Sequence, residues 1–335
     1  MPGPAPSRAP VIDGLVYLCD GDPAPLREGG VTAANVTVTD MFWDLERTFE
    51  EMGKWNRRVA APASGWRLVR TADDIVAAQA DGTTGLIMGW QSILPFGSRL
   101  ERVAAFHALG LRMAQLSYNE ASLAGDGCLE ERGGGLTRFG HKLVAEMNDV
   151  GVGIDLSHCG DRTAFEAARA SKRPVFLTHA NAKAVDERVR NKLDDTIRAV
   201  AETGGVMGIS IHGFMNWDGT REHPPTLANF VRHAKYVADL VGVDHVGIGT
   251  DFTALRNEAD AQRILDMSKN SYPETGGIFA AAFGNTSAGR YPPETPTPRQ
   301  FPRILAALRD GGFTASEVEA IGGGNFLRAF RAVWG

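Results

Sequence analysis

The sequence predicts an α/β domain in which eight parallel strands alternate with helices and close into a TIM-type β/α barrel. Two observations carry this prediction: apolar runs recur along the chain with amphipathic, helix-spaced segments between them, and several runs are apolar almost throughout, as strands buried on both faces must be. The runs lie near residues 10–17, 31–38, 84–90, 113–118, 152–157, 174–178, 205–211 and 245–250. A doubly wound open sheet would give similar local signals, but a closed barrel explains the whole pattern better.

The intervening segments have the spacing of helices that cover a barrel. One apolar set runs from Phe42 to Trp55, a second from Leu136 to Met147 and a third from Leu227 to Val237. Near the C-terminus, Thr314 and Glu317 have the spacing of a capping box and predict another helix. No linker divides the chain, so residues 1–335 are predicted to form one domain.

Two segments look like additions to this alternation. The first, "GWQSILPFGSRLE", follows the third strand. The second runs from about residue 252 to 302, is rich in Pro and Gly, and follows the last strand. Because loops after barrel strands cover the mouth, we expect the second segment to form a lid.

Composition excludes several classes of partner. The net charge of −5 gives no long-range attraction to phosphate backbones, so nucleic acid is not expected to bind. The first residues lack the apolar core of a signal peptide, and no segment has the ~20 apolar residues that span a bilayer, so a cytoplasmic protein without membrane contact is expected. The three cysteines form no CxxC and should be reduced thiols.

Candidate functional residues close the predicted strands, because a β/α barrel carries its chemistry at the carboxyl ends of strands. His158 and His179 close adjacent runs, and Asp251 closes the last. Two imidazoles and a carboxylate suit a divalent ion such as zinc, cobalt or manganese. The other residues at these ends are Leu15, Tyr17, Trp90, Gln91, Tyr118, Asn119 and His212, of which His212 has as much claim to a structural role as to a functional one.

Several longer stretches, taken together, resemble the renal (membrane) dipeptidase family of zinc peptidases in the amidohydrolase superfamily. They are "LGLRMAQLSYNEASLAGDG", "GGGLTRFGHKLVAEMNDVGVGIDLSH", "PVFLTHANAKAV", "RVRNKLDD", "GVDHVGIGTDF" and "GGGNFLRAF". The resemblance extends from Ile12 to about Phe330 and implies the barrel fold.

The resemblance also implies roles for single residues. His158 and His179 match the two histidines that hold one zinc of the family's binuclear pair, and Asp251 matches the aspartate beside the metal-bridging water. Arg190 matches an arginine that pairs with the carboxylate of the bound dipeptide. Tyr118 stands where mammalian members have a histidine that polarises the scissile carbonyl.

Three departures from the family pattern affect the other zinc. The family's first strand reads DGHxD, whereas this chain reads "DGLVY", so that Leu15 and Tyr17 replace both ligands. Gln91 replaces the glutamate that bridges the metals, or Trp90 does if the register slips by one residue. With so little carboxylate charge left, we expect at most one divalent ion, with zinc favoured. Asp20 and Asp22 lie beyond the strand end and are weaker candidates for a compensating ligand.

The resulting expectation is a metal-dependent hydrolase that cleaves a dipeptide or similar small amide bearing a carboxylate. The metal would be held by His158 and His179 with Asp251 as the third ligand, or His212 as the alternative, and Asp251 with Tyr118 would be catalytic. The residues expected to bind this small-molecule substrate are Arg190, Tyr118, Asn119, His212 and Gln91. Two alternatives remain open: a small-molecule binding protein that has lost hydrolysis, and a metal-assisted lyase or decarboxylase acting on an acidic metabolite. A homodimer is the one protein assembly considered.

Overall fold

A computed structural model describes residues 9–18, 21–220, 222–254, 276–283 and 290–335, together with the backbone at a few single positions between 259 and 270. Ten parallel strands form one sheet. Their bounds are β1 Ile12–Leu18, β2 Ala33–Thr37, β3 Trp66–Leu68, β4 Thr84–Trp90, β5 Leu111–Gln115, β6 Gly153–Asp155, β7 Val175–Ala180, β8 Val206–Ile209, β9 Val246–Ile248 and β10 Phe252–Ala254.

The order of the strands closes the sheet into a barrel. Neighbours run β10-β1-β2-β4-β5-β6-β7-β8-β9, and β3 pairs with β4 outside this path. β9 pairs with β8, whereas β10, three residues further along the chain, pairs with β1. β9 and β10 therefore act as two halves of one barrel strand that is interrupted at Gly249–Asp251. The predicted barrel is confirmed.

Helices surround the barrel and follow most of its strands. In the described part of the chain they are α1 Ala24–Glu28, α2 Leu45–Ala60, α3 Ala72–Asp81, α4 Glu101–Ala108, α5 Arg138–Val150, α6 Asp161–Ala170, α7 Asp194–Glu202, α8 Leu227–Val241, α9 Gly276–Phe283, α10 Phe301–Asp310, α11 Ala315–Glu319 and α12 Asn325–Trp334. Thr314 caps α11 in the predicted box with Glu317. No helix among the described residues is long and apolar enough to cross a membrane.

The C-terminal helix α12 closes the amino-terminal end of the barrel. Phe326 and Phe330 of α12 are fully buried and pack against Phe176 of β7, with ring centroids 6.3 Å and 5.2 Å away. Ile12 of β1 and Val206 of β8 belong to the same cluster. Because aromatic rings fill this end, the opposite end of the barrel is the one that can admit a ligand.

The structure differs from the predicted elements in three places. The short strands β3 and β10 were not predicted, and α2 begins at Leu45 and leaves the Phe42 and Phe49 side chains 57% and 58% exposed instead of buried. Much of the predicted lid at about 252–302, including residues 255–258, 271–275 and 284–289, lies outside the described residues, as do both Cys19 and Asp20. The two cysteines that are described, Cys128 and Cys159, are free thiols as expected.

Candidate active site

The carboxyl ends of the strands bring most of the candidate residues together at the barrel mouth. His179 lies within β7, and His158, His212 and Asp251 each follow the last residue of their strand by three positions. Tyr118 follows β5 by the same distance, and its ring stacks on that of His158 with centroids 4.2 Å apart. The candidate histidines thus face a common space because parallel strands end at the same edge.

His158 and His179 form the centre of this site. Their Nε2 atoms are 3.0 Å apart, and both side chains are at least 95% buried. Burial and the nearby Arg190 guanidinium hold the pKa of each imidazole well below its usual value, so both rings are neutral. A neutral ring carries one proton, and the question is which nitrogen has it.

Hydrogen bonds to the far side of each ring answer that question. The Nδ1 atom of His158 is 2.6 Å from the Asn119 side-chain oxygen, which can only accept. The Nδ1 atom of His179 is 2.8 Å from the Thr178 hydroxyl, which donates its own proton to Asp155. Each Nδ1 is therefore the donor, and both Nε2 atoms present lone pairs to one another.

Two lone pairs at this distance fit a shared cation. Imidazole nitrogens bound to one zinc ion at about 2.0–2.1 Å lie about 3.3 Å apart, close to the separation seen here, and donation from the opposite ring nitrogen is the usual support for a metal-binding histidine. The described residues nevertheless contain no group of three His, Cys, Asp or Glu side chains that could hold a metal. The histidine pair fits a metal, while Asp251 as the third ligand stays a prediction.

Leu15 and Gln91 are two of the positions at which the sequence departs from the family pattern for the other metal. Leu15 is 2% exposed and offers no donor atom. Gln91 is buried and donates to Thr37 at 2.9 Å, while its oxygen accepts from Gln115 at 3.3 Å. The alternative register is excluded, because the Trp90 ring packs on Phe96 and Phe106 in the outer core.

Arg190 lies beneath the histidines and is 2% exposed. Its guanidinium donates to the main-chain oxygen of Ser157 and, at 3.3 Å, to that of His179. No ion pair joins it to Asp194 or Asp195, the structural partners that its sequence position suggested, and among the described residues it has no carboxylate partner. A buried guanidinium that two carbonyls orient and no carboxylate neutralises is suited to bind an anion.

Asp251 is the carboxylate of the barrel mouth. It has a left-handed backbone with φ of 57°, and its amide donates to the Leu15 oxygen at 3.0 Å. Burial raises its pKa to about 6, against the opposing effect of Arg290 and Arg190. The same burial raises the pKa of Tyr118, so its hydroxyl stays protonated. Asp251 can accept a proton near neutral pH, and Tyr118 can donate a hydrogen bond.

Arg290 is a mouth residue that sequence reasoning missed. Tyr291, the next residue, places it: the Tyr291 hydroxyl donates to the main-chain oxygen of Asp251 and accepts from the Thr253 amide, both at 2.8 Å. Arg290 then donates to Nε2 of His212 at 3.1 Å. The only sequence signal was its place in the predicted lid, since an arginine in a segment without periodicity has no assignable direction.

Comparison with protein families gives one match: the membrane dipeptidase family, peptidase family M19, matches residues 22–268. Among curated proteins, one encoded in the pqqA 5′ region of Klebsiella pneumoniae is 25% identical over 302 residues, which cover 88% of this chain and 97% of that protein. A dipeptidase of Clonostachys rogersoniana is 30% identical over 240 residues, or 71% of this chain, and a dipeptidase of Claviceps purpurea is 26% identical over 292 residues, or 86% of it. The matched region spans 60% of the length of each of these two dipeptidases.

Solved structures agree with this result. The crystal structure of an amidohydrolase from Pseudomonas aeruginosa superposes with a TM-score of 0.84 at 31% identity and covers 97% of both chains. A metallopeptidase from Rhodobacter sphaeroides, liganded with a phosphinate mimic of the dipeptide L-Ala-D-Ala, superposes with a TM-score of 0.77 at 22% identity, covering 98% of this chain and 100% of that one. At that lower identity the likeness concerns the fold.

Proposed function

Because the chain belongs to the membrane dipeptidase family and is a dipeptidase-like metallohydrolase, we propose that it cleaves a small amide bearing a carboxylate, using one divalent metal. The convergence of His158 Nε2 and His179 Nε2 at 3.0 Å carries this proposal. Zinc is the favoured ion because two neutral imidazoles suit it. Asp251 would supply the third ligand or act beside the metal.

The chain's own residues divide the remaining work. A metal bound at the histidine pair would supply Lewis acidity to the attacking water and the scissile carbonyl. Asp251, with a pKa of about 6, accepts the proton of the attacking water and returns it to the leaving amine. Tyr118 donates to the carbonyl oxygen as negative charge develops there. Arg190 binds the substrate carboxylate, with Asn119, His212 and Gln91 lining the mouth.

A second candidate function is binding of an anionic small molecule without hydrolysis. The observation that favours it is the loss of donor atoms at Leu15, together with a Gln91 amide engaged by Thr37 and Gln115. A metal-assisted lyase on an acidic metabolite would use the same residues, so product analysis separates it from a hydrolase.

Metal content and hydrolysis test the proposal together. We expect elemental analysis of protein purified without chelator to find one divalent ion per chain or fewer, and a panel of dipeptides and N-acyl amino acids to include at least one hydrolysed member. His158→Gln and His179→Gln should each lose the metal and the activity, because each removes half of the nitrogen pair. The exposed His223→Gln serves as the matched control and should change neither.

Two results would contradict this proposal. Two tightly held ions per chain would mean that Leu15 and Gln91 do not close the other site. A chain that keeps its metal in both histidine variants would mean that the ion binds elsewhere.

A further inference from the structure

With a divalent metal bound, the mouth of the barrel would hold more positive charge than one substrate carboxylate balances. Arg290 donates to Nε2 of His212, and Arg190 donates to the main-chain oxygen of His179, so both guanidinium groups lie beside histidines at the strand ends of the mouth. Neither has a carboxylate partner within salt-bridge distance in the described part of the chain. Asp251 offsets one of these charges, and a divalent metal at the histidine pair would add two more.

His212 identifies where a second anion would bind. Its Nε2 atom accepts from Arg290, so the proton of the neutral ring is on Nδ1. That Nδ1 is buried and has no hydrogen-bond partner among the described residues. His212 as a whole is 6% exposed. Leaving a buried donor without a partner is unfavourable, and a ligand acceptor would remove that cost.

Packing as well as charge fixes the positions of His212 and Arg290. The His212 ring meets Phe214 and Tyr291 edge-on, with centroids 4.9 Å and 5.8 Å away. Tyr291 is 4% exposed, and its hydroxyl donates to the main-chain oxygen of Asp251, which ties Tyr291 and the adjacent Arg290 to the interrupted strand. Arg290 is therefore held at the mouth next to the unpaired His212 Nδ1 donor, an arrangement that suits a planar carboxylate.

We propose that Arg290 and His212 form a second carboxylate subsite, so that the preferred substrate is a dicarboxylate amide, such as an acidic dipeptide or an N-acylated acidic amino acid. This inference rests on the proposed function in taking the barrel mouth as the substrate site. Arg190 binds one carboxylate and the Arg290–His212 subsite binds the other. With the metal bound, two substrate charges would also match the net positive charge of the mouth better than one.

Isosteric acid and amide pairs test the subsite directly. The probes are Ala-Glu against Ala-Gln, Glu-Ala against Gln-Ala, and N-acetylglutamate against N-acetylglutamine, titrated by calorimetry into the protein as purified and after zinc loading. At least one acidic member should bind the wild type about 10-fold or more tightly than its amide, the scale of one charge-assisted hydrogen bond. Arg290→Gln should bring that ratio close to one, and Arg290→Lys should restore part of it.

Two further variants separate this subsite from the rest of the site. Arg190→Gln should weaken the acid and its amide alike, since both keep the carboxylate that Arg190 binds. Arg303→Gln, an exposed arginine on α10, should leave every ratio unchanged. If no acid binds the wild type better than its amide at millimolar concentration, or if the preference survives Arg290→Gln, the second subsite does not exist.

The outcomes also distinguish the inference from the proposed function. An acid preference that Arg290→Gln removes, in a protein that hydrolyses nothing with any metal, would uphold the subsite and refute the hydrolase. Hydrolysis of every acid and its amide in the panel with equal efficiency would do the reverse, upholding the hydrolase and refuting the subsite.

Discussion

Asp13 is a single buried carboxyl group whose protonation affects the stability of the barrel. Its two oxygens accept from the Thr250 amide at 2.9 Å, the Thr250 hydroxyl at 2.5 Å and the Leu15 amide at 3.2 Å. Burial nevertheless raises its pKa to about 7. The hydrogen bonds therefore offset only part of the cost of placing a negative charge there.

This raised pKa predicts a pH dependence of stability. Between about pH 4 and about pH 7 the folded chain holds a proton on Asp13 that the unfolded chain releases, so the contribution of Asp13 to the free energy of unfolding falls as pH rises, by at most about 1.4 kcal/mol per pH unit. Asp13→Asn should remove that slope. Urea unfolding of both proteins over this range measures it, with the exposed Asp310→Asn as control, and parallel curves for wild type and Asp13→Asn would refute the effect.

Some site residues could be predicted from the sequence because a local pattern sets their position, whereas others are positioned by contacts that no local pattern shows. His158 and His179 were predictable because each ends an apolar run, and run ends in a barrel share one face. Arg190 was located by its matching stretch "RNKLDD". The partnership of Thr178 with His179 depends on strand register, and that of Arg290 with His212 on a segment without periodicity, so neither was accessible from the sequence.

At the scale of the element, β6 and β7 support the histidine pair as a unit. Asp155 at the end of β6 accepts from the Thr178 amide at 3.1 Å and from its hydroxyl at 2.6 Å. The same hydroxyl fixes the His179 ring. Strands β3 and β10 were not predicted because each has only three residues, which are too few to show a period.

Thr178→Val should therefore weaken the metal site more than the fold. Valine keeps the shape of threonine but leaves the His179 Nδ1 and an Asp155 oxygen without a partner, and the loss of such a support usually costs 10–100-fold in metal affinity. Zinc titration against a competing chelator measures this change. The control is Thr163→Val, a buried threonine on α6 that accepts from the Asp126 amide at 3.0 Å. Equal zinc affinity in the two variants would show that Thr178 does not orient His179.

At the scale of the whole molecule, one end of the barrel is packed for stability and the other holds the candidate active site. The end closed by α12 is filled with aromatic side chains, whereas the open end holds the histidines and arginines. Sequence predicted this division in general form, because barrel strands carry function at one end only. It did not predict which helix closes the other end, since that depends on packing between the first and last parts of the chain.

Replacing a buried aromatic side chain of α12 tests whether this helix closes the core of the barrel. Phe330→Ala should lower the free energy of unfolding by about 3–5 kcal/mol, because it empties a fully buried aromatic site, while metal content per folded chain stays unchanged. Phe49→Ala, which removes an exposed ring of the same size, should cost less than about 0.5 kcal/mol. Equal losses in the two variants would show that α12 does not close the core.

The first strand has a consequence for how such a chain can diverge. Asp13 and Gly14 are kept from the family's opening motif: Asp13 fastens β1 to the interrupted strand, and a Cβ at Gly14 would meet the Phe326 ring at 2.8 Å. Leu15, one of the replaced positions, keeps its place in the strand through its main chain, whose oxygen accepts from the Asp251 amide at 3.0 Å. If the site holds one metal, as proposed, a motif that is continuous in sequence serves two separable purposes, and the packing of the barrel constrains Asp13 and Gly14 whatever becomes of the metal-binding positions beside them.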